Sequence, residues 1–137
     1  MGLDIYIGVA AKERFKVDDK LVLIVPATVH SGPPITVIKE YRKHYNLHQW
    51  MVRVFEQRGC AGKFNDIPIL LPLNDLVTLE AGIASGALYE LCDFGKDQSW
   101  YVAHYRTEDA KSEDLQVVRR CLKEAAAGNG VFYEANY

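Results

Sequence analysis

The chain has 137 residues, and its 16 Lys and Arg against 18 Asp and Glu give a formal net charge of −2. The apolar fraction of 49% and the charged fraction of 25% are those of an ordinary globular domain, which excludes an intrinsically disordered chain. General nucleic-acid binding is not expected, because proteins that neutralise backbone phosphates carry a clear basic excess.

Cysteine usage and the N-terminal residues bear on the cellular compartment. Cys60, Cys92 and Cys121 are odd in number and form no CxxC pair, so neither a disulfide framework nor a structural zinc site is predicted. The first residues lack the segments of a signal peptide, and the longest aliphatic run, Leu21 to Val25, is too short to span a bilayer. A cytoplasmic protein with no membrane segment is expected.

The first third of the chain favours strands. Leu3 to Val9 alternate with period two, which predicts a strand with one buried face. A turn at Asp18-Asp19 precedes a second strand over Leu21 to Val25, and His30 to Pro34 is predicted as a loop. The β-branched residues that follow predict a third strand from Ile35 to about Lys43.

A helix is predicted next, over Leu47 to Arg58. Asn46 is a suitable N-cap, and Gln49 stands at the capping-box spacing from it. Gly59 supplies the C-terminal stop.

The remaining predicted elements alternate between strands and helices. Ile67 to Leu71 is predicted as an edge strand because of Pro68, and Leu73 to Ser85 as a helix that the Gly82 to Gly86 segment ends. Further predicted elements are a strand over Trp100 to Arg106, a helix that Ser112 caps and that Gly128 to Gly130 ends, and a final strand over Val131 to Asn136. The predicted fold is a single α+β domain over residues 1–137, with a mixed or mostly antiparallel sheet of five or six strands and three covering helices.

The segment from Tyr41 to Trp50 holds the main polar cluster. On the predicted helix His48 lies beside the apolar stripe and so points toward the interior or its rim. Two hypotheses follow: a core histidine tied to a backbone carbonyl or a tyrosine, or a titratable group at the floor of a pocket. His44 lies before the predicted cap, so its spacing to His48 does not make a metal site, and neither a metal nor a cofactor is predicted.

Charged residues beside this helix raise a second question. Arg42 and Lys43 adjoin its positive end, where an anion such as a phosphate could bind, although two basic residues at a strand end are usually solvated or paired. Asp4 could pair with Arg42 or His48, and such a pair is expected to be a structural ion pair rather than a catalytic dyad. Trp50 is expected to pack on a neighbouring element.

Three stretches resemble a family of small, uncharacterised proteins that bacteriophages and prophages encode. They are Met1 to Tyr6, Tyr41-Arg42-Lys43 with Leu47 to Met51, and Val131 to Glu134, which match a GLDMY-like opening, a YWRKxNxIHxWF-like segment and an aromatic last strand. The family carries no activity to transfer. The resemblance implies an accessory protein acting inside a bacterial host, and it matches all the candidate binding residues: Asp4, Tyr6, Arg42, Lys43, His48 and Trp50.

Three functional hypotheses remain. No GxGxxG, GxxxxGK[ST] or GxSxG motif is present and Tyr and Trp are abundant, which favours a non-enzymatic binding protein. The resemblance to phage proteins implies that its partner is a host or defence protein. Its aromatic anchor candidates are Tyr101, Tyr105, Tyr133 and Tyr137. The rival is an anion- or nucleotide-binding protein, or an enzyme, with a pocket around Asp4, Arg42, Lys43 and His48, and the third hypothesis is homodimerisation.

Overall fold

The protein folds as an α+β structure built on one antiparallel sheet. The computed structural model describes residues 2–14, 16–24, 35–91 and 99–137. Within these residues the strands are β1 (Asp4–Ala11), β2 (Thr36–Arg42), β3 (Ile69–Leu70) and β4 (Asn129–Asn136), in the spatial order β2-β1-β4-β3. The fold class and the antiparallel pairing are confirmed, whereas the described chain has four strands and not five or six.

The two central strands carry the core. β1 and β4 pair over their full length, from Asp4 opposite Asn136 to Ala11 opposite Asn129. Ile5 and Tyr133 pack in the larger apolar cluster, while Phe132 belongs to a smaller one. Since successive side chains of a strand point to opposite faces, β4 is buried on both faces of the sheet.

The described residues contain four α-helices where three were predicted: α1 (Tyr45–Gln57), α2 (Leu73–Ser85), α3 (Ser99–Tyr105) and α4 (Glu108–Ala126). The bounds predicted for α2 are confirmed, and Gly86 ends it with φ at 87°. At Gly82 a Cβ atom would lie 2.4 Å from the Trp50 ring, so only glycine permits α1 and α2 to approach this closely. Trp50 therefore packs on a neighbouring helix, as predicted.

The predicted start of α1 was wrong by two residues. The N-cap is His44, whose side chain accepts a hydrogen bond from the Leu47 N–H. Asn46 is buried within the first turn, and its amide donates to the Leu91 carbonyl at 2.6 Å. Lys43, with φ at 58°, turns the chain between β2 and the helix. A distant partner for Asn46 thus outweighed its local capping preference.

The prediction for the segment before α4 was also wrong. Residues 99–105 form α3 rather than a strand, because Val102 and Tyr105 stand three residues apart and both turn toward the protein. The cap of α4 is Thr107, whose hydroxyl accepts from the Ala110 N–H, so Ser112 lies inside the helix.

Two predicted strands shrink to short pairings. The Ile67 to Leu71 prediction reduces to β3, which lies at a sheet edge as Pro68 indicated. In the Leu21 to Val25 segment, Val22 and Leu23 form only isolated bridges. Val25, the loop from His30 to Pro34, and Cys92 lie outside the described residues. Cys60 and Cys121 are free thiols.

Candidate functional site

A buried polar network lies where β2 meets α1. His44 is 0% exposed, and its Nε2 lies 2.8 Å from Oδ2 of Asp114 on α4. Its Nδ1 accepts from the Leu47 N–H at 3.3 Å and so carries no proton. The proton of the neutral ring therefore sits on Nε2 and is donated to the carboxylate.

Tyrosines complete the surroundings of Asp114, which is 4% exposed. The Tyr89 hydroxyl donates to the same Oδ2 at 2.7 Å. Burial raises the pKa of both Tyr41 and Tyr89, and a hydrogen bond to the Asp114 carboxylate together with its charge raises both further, so both hydroxyls stay protonated. The second carboxylate oxygen, Oδ1, is buried as well.

The network fixes α3 against the strand-to-helix junction. The Tyr105 ring stacks on His44 with 3.9 Å between centroids, and its hydroxyl donates to the Arg42 carbonyl at 2.7 Å. Both nitrogens of His44 are engaged and the ring is fully buried, so this His–Asp pair positions elements of the fold.

An open groove borders this network. Its volume is about 420 Å³; residues 39–41 of β2 form one wall, and the end of α3 with the first turns of α4 forms the other. Asp109, Glu113 and Asp114 line the α4 side, and Lys39 is paired with Glu113. We call this cavity the acidic groove, because its carboxylates outnumber its lysine.

An aromatic ridge, defined as Trp100, Tyr101 and His104, stands beside the groove on α3. Trp100 is 66% exposed and stacks on His104 with ring planes 1° apart and centroids 5.4 Å apart. His104 also lines the acidic groove. The Lys43 ammonium lies 4.6 Å from the centroid of the Tyr101 ring. Ridge and groove therefore form one continuous surface with β2.

His48 occupies a different, mostly apolar environment. Its Nδ1 lies 2.8 Å from the Tyr133 hydroxyl, its ring stacks on Phe64, and its Nε2 is buried without a partner among the described residues. Burial lowers its pKa to about 4, so the ring is neutral at pH 7. These contacts match the hypothesis of a core histidine tied to a tyrosine.

The six predicted site residues have separate surroundings. Arg42, with a side chain 77% exposed, lies 3.5 Å from Asp4, which is the expected ion pair. Tyr6 lies opposite Glu40 on that same sheet face. Lys43, His48 and Trp50 instead contact Tyr101, Tyr133 and α2, so these contacts do not gather Arg42, Lys43 and His48 around one cavity.

The predicted aromatic anchors differ in their exposure to solvent. Tyr133 is fully buried, so it cannot serve as a surface anchor, and that prediction was wrong. Tyr101, Tyr105 and Tyr137 are half-buried. Trp100, which is 66% exposed, was not among the predicted anchors.

The sequence carried a signal for Asp114 that went unused. Asp114, Val118 and Cys121 are the buried residues of α4, at spacings of four and three. A carboxylate in line with an apolar helical stripe has to find buried partners, which marks it as part of a network. Taking Ser112 as the cap instead assigned Asp114 to the solvated first turn.

Comparisons with known proteins supply no relative: no family model, curated protein or solved structure matches this chain. Among the described residues there is no cluster of three or more His, Cys, Asp or Glu side chains able to hold a metal. No helix in the same part of the chain is long and apolar enough to cross a bilayer.

Proposed function

We propose that this chain is a non-enzymatic binding protein whose contact surface is the aromatic ridge with the acidic groove. The observation that carries the proposal is the 66% exposure of Trp100 on a helix that is itself fixed to the interior. A large aromatic side chain open to water but held in place is the type of residue that dominates binding energy at protein interfaces.

Rigidity of α3 supports the same proposal. Tyr105 stacks on fully buried His44, and the Arg106 guanidinium donates to the Tyr89 carbonyl at 2.8 Å. Because these two contacts tie the C-terminal end of α3 to the rest of the protein, binding of a partner to Trp100 costs little additional conformational entropy for ordering the helix.

The partner class comes from the family resemblance. Met1 to Tyr6, Tyr41-Arg42-Lys43 with Leu47 to Met51, and Val131 to Glu134 resemble motifs of phage and prophage proteins. We propose accordingly that the chain is a phage or prophage accessory protein that binds a bacterial host or defence protein in the host cytoplasm.

Affinity capture from bacterial lysates tests this proposal. Wild-type protein, Trp100→Ala and Val77→Ala are compared, since Val77 is also an exposed apolar residue, 51% open, but lies on α2. We expect the wild type and Val77→Ala to retain one stoichiometric partner and Trp100→Ala to lose it, with all three melting at the same temperature. Retention by Trp100→Ala, or no partner from several hosts, would contradict the proposal.

A further inference from the structure

We infer that the acidic groove takes a short, extended, positively charged segment of the partner, which adds beside β2 and places basic side chains toward α4. The inference rests on the proposed function and names the chemistry of the partner. It depends on two features: an outer strand edge and an excess of carboxylates.

The open strand edge is the first of these features. β2 is an outer strand, and no described strand pairs with its far side. The Lys43 N–H bonds to the Leu3 carbonyl, so in an antiparallel ladder the backbone groups of Tyr41 and Lys39 face β1 and those of Glu40 and Arg42 face outward. The hydrogen bond from the Tyr105 hydroxyl to the Arg42 carbonyl agrees with an outward orientation of the Arg42 backbone groups.

The length of the free edge is short. Tyr105 occupies the Arg42 carbonyl, and the register shift between Ile7 and Gly8 breaks the regular ladder beyond Lys39. Glu40, which is exposed, therefore offers its N–H and its carbonyl together. An added segment would make a pair of backbone hydrogen bonds there, and its next side chains on either side would point into the acidic groove.

Charge selects the occupant. Among the described residues, Asp109, Glu113 and Asp114 line the α4 side of the groove, and Glu40, Lys39 and His104 are its other acidic and basic residues. Lys39 is already paired with Glu113. Asp109 alone would mark nothing, because a carboxylate in the first turn of a helix is stabilised by the helix dipole. The outer edge of β2 is the independent observation, since Glu40, whose N–H and carbonyl face outward, also lines the groove.

A second copy of this chain fits the outer edge of β2 less well than a basic segment does. Two strands related by a two-fold axis always set one residue opposite its own copy. Full overlap of Thr36–Arg42 would set Lys39 against Lys39, and a shift of one residue toward the C-terminus would set Glu40 against Glu40. Like charges directly opposite each other destabilise a strand pair.

A fluorescein-labelled peptide with the sequence Lys-Val-Lys-Val-Lys-Val-Lys-Val provides a defined probe. We expect saturable binding by fluorescence anisotropy, and about tenfold weaker binding to Asp109→Lys, since each exposed charge pair contributes modestly and reversal replaces attraction by repulsion. Glu56→Lys is the matched control, because Glu56 is an exposed residue of α1 that lines none of the grooves described. It changes the net charge by the same amount as Asp109→Lys, and its affinity for the peptide should stay within twofold of the wild type.

Backbone methylation tests the strand geometry separately. With lysines toward the groove, the valines form the backbone bonds to Glu40, so N-methylvaline should weaken binding at least tenfold while N-methyllysine leaves it within about threefold. Equal affinity of both methylated peptides, equal binding of a Glu-Val peptide, or a Glu56→Lys effect as large as that of Asp109→Lys overturns the inference. A wild-type dimer in sedimentation that the peptide does not dissociate also overturns it.

The two proposals can fail independently. If Trp100→Ala abolishes capture of the partner but the lysine–valine peptide does not bind below about 1 mM, only the groove inference is wrong. If the peptide binds as expected but no partner is captured, the proposed function is wrong and the groove remains a cation-selective strand edge.

Discussion

His44 and His48 stand four residues apart at the start of one helix, yet their environments differ. His44 bonds to a carboxylate and caps the helix, whereas His48 bonds to a tyrosine hydroxyl and stacks on Phe64. The first environment is held by charge-assisted hydrogen bonds beneath the proposed binding surface, and the second by apolar packing deep in the fold. Their difference teaches that the partner of a buried imidazole, not its burial, decides what the imidazole does.

The largest expected effect comes from removing the carboxylate that His44 contacts. Asp114→Ala leaves the His44 Nε2–H and the Tyr89 hydroxyl buried without an acceptor, so we expect a loss of about 3–5 kcal/mol in unfolding free energy. Urea denaturation measures it. Asp109→Ala, an exposed carboxylate on the same helix, should change stability by less than about 1 kcal/mol. Equal losses for the two variants would remove the contrast between the histidine environments.

His48 should make the stability of the fold depend on pH below neutrality. Its pKa is about 4 when folded and about 6.5 when unfolded, so the unfolded chain binds more protons between these values. The stabilisation from keeping the ring neutral is therefore complete above pH 6.5 and is lost as the pH falls toward 4, by at most about 3 kcal/mol. Denaturation across this range should show a shallower decline for His48→Gln than for the wild type. Parallel curves would contradict the prediction.

Matched hydroxyl deletions give the next contrast. Tyr89→Phe removes a hydrogen bond to a charged acceptor and should cost about 1.5–3 kcal/mol, because bonds to ionised groups contribute more than neutral ones. Tyr133→Phe removes a bond to neutral His48 and should cost about 0.5–1.5 kcal/mol. Both are compared by urea denaturation at pH 7, and the reverse order would show that His48, not His44, carries the stronger polar network.

The smallest expected effect concerns the ridge. Trp100→Ala should change the unfolding free energy by less than about 0.5 kcal/mol, since its side chain is mostly solvated and is not among the buried core. Thermal melting measures this. A large loss would mean that Trp100 supports the fold and would remove the reason to regard it as a binding anchor.

Local patterns predicted much of the fold. The alternation from Leu3 to Val9 led to β1, the segment from Leu73 to Ser85 matched α2, and the position of His48 beside an apolar stripe led to its packing against aromatic rings. In each of these cases the spacing of apolar residues within one element sets the outcome.

What the sequence could not provide depends on contacts between distant residues. Asn46 bonds to Leu91, which leaves the cap to His44, and His44 needs Asp114, 70 positions later. The apolar residues from Trp100 to Arg106 fit the period of a strand and that of a helix, and the packing of Tyr105 on His44 favours the helix. The ridge and the acidic groove follow from that selection, so neither was visible in the sequence.

Amide hydrogen exchange with the lysine–valine peptide tests the central claim most directly, because it locates the contact surface residue by residue. The outward amides of Glu40 and Arg42 should gain protection on binding, together with those around the start of α4, while α2 remains unchanged. Protection confined to α2 or to the end of α1, or no change at β2 under saturating peptide, would contradict the claim that this face of the protein binds its partner.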